Sequence, residues 1–282
     1  MQPGAHITNT DDRNSLLMGV PRLSRWGVIA SLVRRDYAVQ FAGTSLGIVW
    51  VLARYVFQIA LFYVIFGYVL QAALPEKADA LTRAGEGDYL SYLLGAMCLW
   101  LPLSEMLLRS CGILSENRAL IRRTSVGMHG FLWVPVVQAW LHYTLIFAAV
   151  SAIGLVRGTL SAGAPLAFLA GLAILLSFAG WAFILARVSV LLRDVSPLME
   201  LVLQIVFWST PIVYAVGPDL LWLFGWNPLY PLISLHRMLL FESDWPFRTL
   251  TEMPGLLLLA GLALPAFTLS ARRLAHLVVD HL

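Results

Sequence analysis

The sequence predicts an all-α membrane protein of six transmembrane helices, with an N-terminal amphipathic helix at the membrane interface and short re-entrant helices between helices five and six. Three observations predict it. Of 282 residues, 59% are hydrophobic and only 12% are charged, against ~25% charged in ordinary soluble domains. Six stretches approach or exceed the ~20 apolar residues that a helix needs to cross a ~30 Å hydrocarbon layer, where every backbone polar group must be satisfied internally. The arginines, finally, are spread unequally between the loops on the two sides, as the positive-inside rule requires.

The six stretches are 45–71, 89–114, 131–156, 165–191, 198–216 and 254–271. A further apolar stretch, 220–240, is cut by Asn227-Pro228 and Pro231. Proline removes a backbone donor and biases the residue before it away from helix, so this stretch reads as two short re-entrant pieces. With six spans and both ends in the cytoplasm, the cytoplasmic side receives Arg13, Arg22, Arg25, Arg34, Arg35, Arg118, Arg122, Arg123, Arg193, Arg272 and Arg273. The other side receives Lys77, Arg83, Arg157, Arg237 and Arg248, together with the acids Glu76, Asp79, Glu86, Asp88, Asp219, Glu242, Asp244 and Glu252. Seven full spans would carry Arg272 and Arg273 to the wrong side.

The chain then divides into a cytoplasmic N-terminus, 1–44, a six-helix membrane domain, 45–271, and a cytoplasmic tail, 272–282. Residues 22–36 put Trp26, Ile29, Ala30 and Val33 at helical spacing, with Arg22, Arg25, Arg34 and Arg35 available for phosphates. This is read as an interfacial amphipathic helix; the plainer alternative is a solvated helix on the cytoplasmic face. Asp11, Asp12 and Arg13, with no apolar run before Ser45, do not make a cleaved signal peptide. No repeat relates the two halves, so inverted-repeat secondary transport gains no support.

Several chemistries are excluded. All nineteen basic residues except Lys77 are arginine, and Lys77 sits in Pro75-Glu76-Lys77-Ala78, so the chain has no phosphate-cradling loop of the kind that ends in glycine, lysine and a hydroxyl residue. It carries no cofactor of its own by this reading. The histidines His6, His129, His142, His236, His276 and His281 are scattered, which argues against a metal site. Cys98 and Cys111 lie thirteen residues apart in one predicted helix, about 20 Å at 1.5 Å per residue and too far for a bridge. The closest approach to a hydrolase elbow, Gly43-Thr44-Ser45-Leu46-Gly47, opens a membrane helix with no strand before it. Nucleic acid is not an expected partner.

Polar groups at membrane depth are costly and therefore candidates for function. Glu105 and Arg109 are spaced i, i+4 in the favourable order and are read as a structural pair rather than a substrate contact. Arg54 and Gln58 lie one turn apart in the first span, among Trp50, Tyr55, Phe57, Phe62, Tyr63, Phe66 and Tyr68. Two readings of those rings stay open: they line a conduit along which sugar rings slide, or they are belt and packing residues. In the fifth span Glu200, Gln204 and Trp208 form one stripe ending near Thr210-Pro211. Such a stripe faces protein or water rather than lipid.

The order of motifs resembles the ABC-2 type permeases that export polysaccharides and teichoic acids. The matching residues are Arg34-Arg35-Asp36-Tyr37 followed by Gly43-Thr44-Ser45-Leu46-Gly47-Ile48-Val49-Trp50, then Ser115-Glu116-Asn117-Arg118-Ala119-Leu120-Ile121-Arg122-Arg123. Leu192-Arg193-Asp194-Val195, Phe207-Trp208-Ser209-Thr210-Pro211-Ile212-Val213-Tyr214, Asn227-Pro228-Leu229 and His236-Arg237 complete the series. The chain departs from the family at Thr124-Ser125-Val126-Gly127-Met128, where a Phe-Pro step is usual.

The resemblance implies a homodimer in the cell (inner) membrane around a channel. Two copies of a separate nucleotide-binding subunit would hold ATP and magnesium and close against cytoplasmic loops near 115–128 and 192–197. Asn117, Arg118, Arg122, Arg123, Arg193 and Asp194 would make that coupling contact. Trp50, Arg54, Tyr55, Gln58, Phe62, Glu200, Gln204 and Trp208 would line the channel, and an external region, 217–250, would cap it. Arg22, Arg25, Arg34 and Arg35 would attract membrane lipids and the pyrophosphate of an undecaprenyl-type lipid-linked glycan. The alternatives are an exporter of a smaller drug or lipid and a membrane-embedded glycan transferase using His236, Arg237, Glu242 and Asp244, a group otherwise read as an ordinary polar external loop.

Overall fold

The computed structural model of the protein describes residues 25–47, 49–69, 89–122, 127–216, 220–241 and 252–256. All regular structure among them is helical. The elements are α1 (Arg25–Gln40), α2 (Val49–Val64, continued by a π-helical turn Ile65–Val69), α3 (Tyr89–Glu116), α4 (Arg118–Ile121), α5 (Gly127–Arg157), α6 (Ala164–Ser177), α7 (Ala179–Leu191), α8 (Val195–Ser209), α9 (Leu221–Phe224) and α10 (Leu229–Phe241). Among the described residues four stretches are long and apolar enough to cross a membrane: Val49–Val69, Tyr89–Glu116, Met128–Arg157 and Ala164–Leu191. Two shorter apolar helices, Val195–Ser209 and Leu229–Phe241, accompany them.

Helix α3 is the central post. It packs against α2, α5, α7, α8 and α10, and Leu93, Ala96, Met97, Cys98, Leu99, Leu103 and Leu114 are wholly enclosed. Both cysteines are buried free thiols, as their spacing requires. Pro102 in α3 and Pro135 in α5 sit inside long helices, each removing one backbone rung; in a membrane helix, neighbouring elements make such losses tolerable. The predicted fourth span is two helices joined at Phe178. Between α5 and α6 the chain reverses at Gly158, whose φ of 68° favours glycine.

The predicted fifth span is shorter than its apolar run. Helix α8 ends at Ser209, and Thr210 is extended at φ −103°, ψ 131°. Buried non-helical backbone needs hydrogen-bond partners from surrounding protein, and three residues supply them. The Arg237 guanidinium donates from Nη2 to the carbonyls of Pro211 at 2.8 Å and Ile212 at 2.9 Å. Tyr89 donates to the Val213 carbonyl at 3.0 Å, and Tyr92 to those of Pro211 and Tyr214.

The break predicted in 220–240 is present: α9 and α10 are separate helices on either side of Asn227-Pro228. Asn227 Nδ2 donates to Thr210 Oγ1 at 2.7 Å, while its Oδ1 accepts the Leu229 N–H at 2.9 Å. Pro231 falls in the first turn of α10, where its missing N–H costs little. The greater part of the predicted sixth span, 254–271, and the tail, 272–282, lie outside the described residues, as do 1–24 and 242–251.

One expectation is corrected. His236 and Arg237 belong to no external polar loop; both are buried in α10. Helix α1 sets only part of its apolar stripe, Ile29 and Val33, against the bundle. Leu32, Val33 and Asp36 are buried and Val28 and Ile29 pack on the core, whereas Trp26 and Ala30 are exposed. The reason is that α1 lies along α5, so its inner face meets protein and includes a carboxylate with polar partners there.

Candidate functional site

A buried polar network ties α1, α2, α3 and α5 together. On α3, Glu105 and Arg109 are one turn apart; on α5, Gln138 and His142 repeat that spacing in antiparallel register. Glu105 does not pair with Arg109, contrary to the sequence reading. Its Oε1 accepts from Arg54 Nη2 at 2.7 Å, and its Oε2 accepts from the Tyr55 hydroxyl and from His142 Nδ1 at 3.1 Å. Arg109 turns instead to Asp36, with Nη2 2.6 Å from Oδ1, and to Glu116 at 2.8 Å. An exposed i, i+4 pair is worth about 0.2–0.5 kcal/mol. A partner from a neighbouring helix that satisfies several buried groups at once outweighs it.

Asp36 is the hub of the lower half: Oδ2 also accepts from Gln138 at 2.8 Å and from Gln40 at 2.9 Å. The halves join through Tyr37, whose hydroxyl lies 2.8 Å from His142 Nε2. Burial, with the Glu105 and Asp36 carboxylates nearby, raises the Tyr37 phenol above its ordinary value, so it keeps the proton it donates. A carboxylate can only accept, so the neutral His142 ring that fits both partners carries its proton on Nδ1. Arg35 Nη1 extends the chain to Asn117 Oδ1 at 2.7 Å.

The residues assigned to a channel are all on α2 and α8, and the structure separates them into two kinds. Tyr55 is buried and committed to Glu105. Phe62 is half-buried and meets the α8 rings, 5.2 Å from Phe207 and 6.4 Å from Trp208 between centroids. Trp50, Arg54, Glu200, Gln204 and Trp208 are exposed, and Gln58 is partly so. They share their helix surfaces with Val56, Phe57, Leu61, Leu198, Leu201 and Ile205. Only 11% of the most apolar window of the first span is buried, against 78% for α3.

The coupling residues are likewise divided. Asn117 is buried, donating to the Ile113 carbonyl at 2.9 Å while accepting from Arg35. Arg118 is partly buried, with its Nε enclosed and making no hydrogen bond among the described residues. Arg122, Arg193 and Asp194 are exposed, the last two in the turn between α7 and α8. Arg34 is exposed, Arg25 opens α1, and Arg22 and Arg123 lie outside the described residues.

His236 and Arg237 are structural. His236 Nδ1 donates to the Gly95 carbonyl at 2.8 Å, and Nε2 lies 3.0 Å from the Tyr143 hydroxyl. Arg237 Nε donates to the Tyr92 carbonyl at 3.0 Å, and its guanidinium lies 3.5 Å from the Tyr92 ring centroid. Glu242 and Asp244 lie outside the described residues. No group of three or more metal-ligating side chains occurs among the described residues.

Sequence reasoning missed Asp36, Gln138 and His142, although Gln138 and His142 one turn apart in an apolar helix were a signal. It also missed Arg187, buried in α7 with Nε and Nη1 lacking a hydrogen bond among the described residues.

The chain is similar to two proteins of Klebsiella pneumoniae named O-antigen export system permease protein RfbA. It is 20% identical to one over 248 residues, covering 84% of this chain and 90% of the relative. It is 20% identical to the other over 250 residues, covering 82% and 87%. The resemblance to exporter permeases of the ABC-2 polysaccharide type holds. A Myxococcus xanthus protein of the same name is 19% identical over 226 residues, covering 78% of this chain and 82% of the relative. No family model matches the chain. The near-complete coverage means that this ABC-2-like chain aligns with the permeases as a whole and not with one motif, and with its four long apolar helices it is a multi-pass membrane protein.

Proposed function

We propose that the chain is the permease subunit of an ATP-driven exporter that moves a lipid-linked polysaccharide, of the O-antigen, capsule or wall-polymer class, out of the cytoplasm. The observation that carries this reading is the exposed α2 and α8 surface. Arg54, Glu200 and Gln204 stand there on apolar helices without the cover of the protomer's own core. Charged groups at membrane depth face protein or a water-filled path rather than lipid, so this surface is read as the wall of a conduit completed by a second copy. Flat rings such as Trp50, Phe57 and Trp208 suit a polymer that must slide, since they offer stacking area without fixed hydrogen-bond partners. The names of the three relatives support the substrate class.

Energy would come from a separate nucleotide-binding chain, because no Walker-type lysine is present. Its docking surface would be the end of the molecule that carries α4 and the turn at 192–194, with Arg122 and Arg193 outermost. From there a push would travel by Asn117 to Arg35 and α1, and through Tyr37, His142 and Glu105 to Arg54.

Proteoliposomes holding the chain, its ATPase and a lipid-linked glycan should move glycan with ATP and stand still without it. Glycan movement in liposomes containing this chain alone and no nucleotide would end the exporter reading. Replacing Arg122 and Arg193 together with Glu should cut copurification of the ATPase several-fold, since opposite charge at a docking rim sets encounter and register. Undiminished recovery would remove the two residues from the contact.

A further inference from the structure

The turn between α1 and α2 opens an unfilled cleft. Gly43 and Gly47 take positive φ of 79° and 52° there, each with open space where a Cβ would stand. They serve the reversal of the chain and not close packing. The cleft beside them, of about 790 Å3, is bordered by Gln40, Phe41, Trp50, Arg54, Phe57 and Glu105. Its walls are mostly apolar side chains, with the Gln40 amide and the ion pair of Arg54 with Glu105 among them. Trp50 and Phe57, at 51% and 70% exposure, continue its apolar wall out onto the free surface of α2.

Arg54 is held but not used up. Its side chain is 58% exposed, and Glu105 engages only Nη2. A guanidinium has five N–H donors in a planar fork; Tyr55 is a second neighbour, its ring centroid 5.6 Å from Cζ, and the exposed edge of the fork borders the cleft. Gln40 spends one of its two amide hydrogens on Asp36 and keeps the other at the rim. The Tyr55 hydroxyl and His142 fix the carboxylate that fixes Arg54, so the fork is presented by a rigid support and not by a mobile stem.

We infer that this cleft receives the phosphate end of an anionic lipid, with Arg54 as the charged donor, Gln40 as a second donor and the Trp50 and Phe57 surface against the lipid's apolar chain. A planar fork binds phosphate oxygens in pairs, and next to hydrocarbon the attraction is stronger than in water. The arrangement is amphiphilic in one order, with polar donors inside the cleft and apolar rings running outward along a spanning helix. That suits a phosphate attached to a long apolar tail better than a free phosphate. The inference deepens the exporter reading, on which it rests, because it assigns the carrier's phosphate to Arg54, whereas the sequence pointed to Arg22, Arg25, Arg34 and Arg35. Of those, Arg35 is already engaged with Asn117.

The full-length protein in nanodiscs of phosphatidylcholine, without its ATPase, would be titrated with a polyprenyl pyrophosphate, with the uncharged polyprenol and with inorganic pyrophosphate. Native mass spectrometry reads occupancy. Polyprenyl pyrophosphate should bind, Arg54→Gln should weaken it about tenfold, the loss expected when a charge-assisted hydrogen-bonded pair goes, and Arg54→Lys should fall between. Glu105→Gln removes the competing carboxylate and should tighten binding, a change opposite in sign to that of Arg54→Gln. Circular dichroism would confirm that each variant keeps its helices.

Equal affinity in wild type and Arg54→Gln, or equal weakening in both Gln variants, overturns the assignment. So does inorganic pyrophosphate binding as tightly as the lipid. Retention of no lipid by a folded dimer also overturns it, and leaves a second copy of the chain as the occupant of this face. Because no ATPase is present, these outcomes are separable from failure of the exporter reading, which is tested by nucleotide-driven movement.

Discussion

Arg237→Ala should destabilise the protein by about 1–3 kcal/mol, the penalty for leaving a buried carbonyl without its donor. The side chain is 3% exposed and closes three separate carbonyls from two elements, Tyr92 on α3 and Pro211 and Ile212 after α8. Pro211 is then left to share the single Tyr92 hydroxyl proton with Tyr214, and Ile212 has no donor among the described residues. A bare carbonyl on a residue as enclosed as Ile212 has no water to turn to. Lysine at the same position keeps the charge but not the fork, so Arg237→Lys should recover only part of the loss. Denaturant titration of detergent-solubilised protein gives the comparison. An unfolding midpoint unchanged in Arg237→Ala would show that the segment after α8 is held by Tyr89, Tyr92 and Asn227 without it.

Asp36→Ala should release α1 from the bundle. The carboxylate is 8% exposed and answers Arg109, Gln138 and Gln40 together, so its removal strands one buried cation and one buried amide. Arg109 keeps Glu116, which is half in solvent, and this limits the cost to about 3 kcal/mol, the low end for a broken buried pair. The readout is local: amide hydrogen exchange across Arg25–Gln40 should speed up by two orders of magnitude or so, since about 1.4 kcal/mol is tenfold, while α3 stays protected. If Asp36 and Arg109 act as a pair, Arg109→Met added to Asp36→Ala should cost little more. Additive losses in the double variant would place the anchor elsewhere, in Leu32 and Val33.

Much of the architecture was legible because hydrocarbon imposes length and composition on a spanning helix, and α3, α5 and the α6–α7 stretch fall where apolar runs of that length fall. The ends were less so. In the apolar run 198–216 Pro211 marks where the helix stops, but the groups that satisfy the backbone after the stop, Tyr89, Tyr92 and Arg237, come from elements far off in sequence. The break at Asn227-Pro228 was legible, since proline writes it into the backbone itself.

Pairing was the least legible property. Spacing put Glu105 with Arg109, whereas the fold joins them to Arg54, Tyr55 and His142 on one side and to Asp36 and Glu116 on the other. A spacing rule sees one helix at a time, and a buried carboxylate is satisfied by whichever helices surround it. For the same reason α1 could be placed as amphipathic but its inward face could not be named: Asp36 counts as polar in a hydropathy pattern, yet its partners lie in the bundle.

The enclosure of Cys98 and Cys111 has a practical side. A water-soluble maleimide finds no native sulfur on the folded surface, so the wild-type background already serves for single-thiol labelling. Reporters introduced on α2 and α8 would then mark which parts of those helices are wetted during the working cycle, with no risk from repacking the centre of α3 to remove its own thiols.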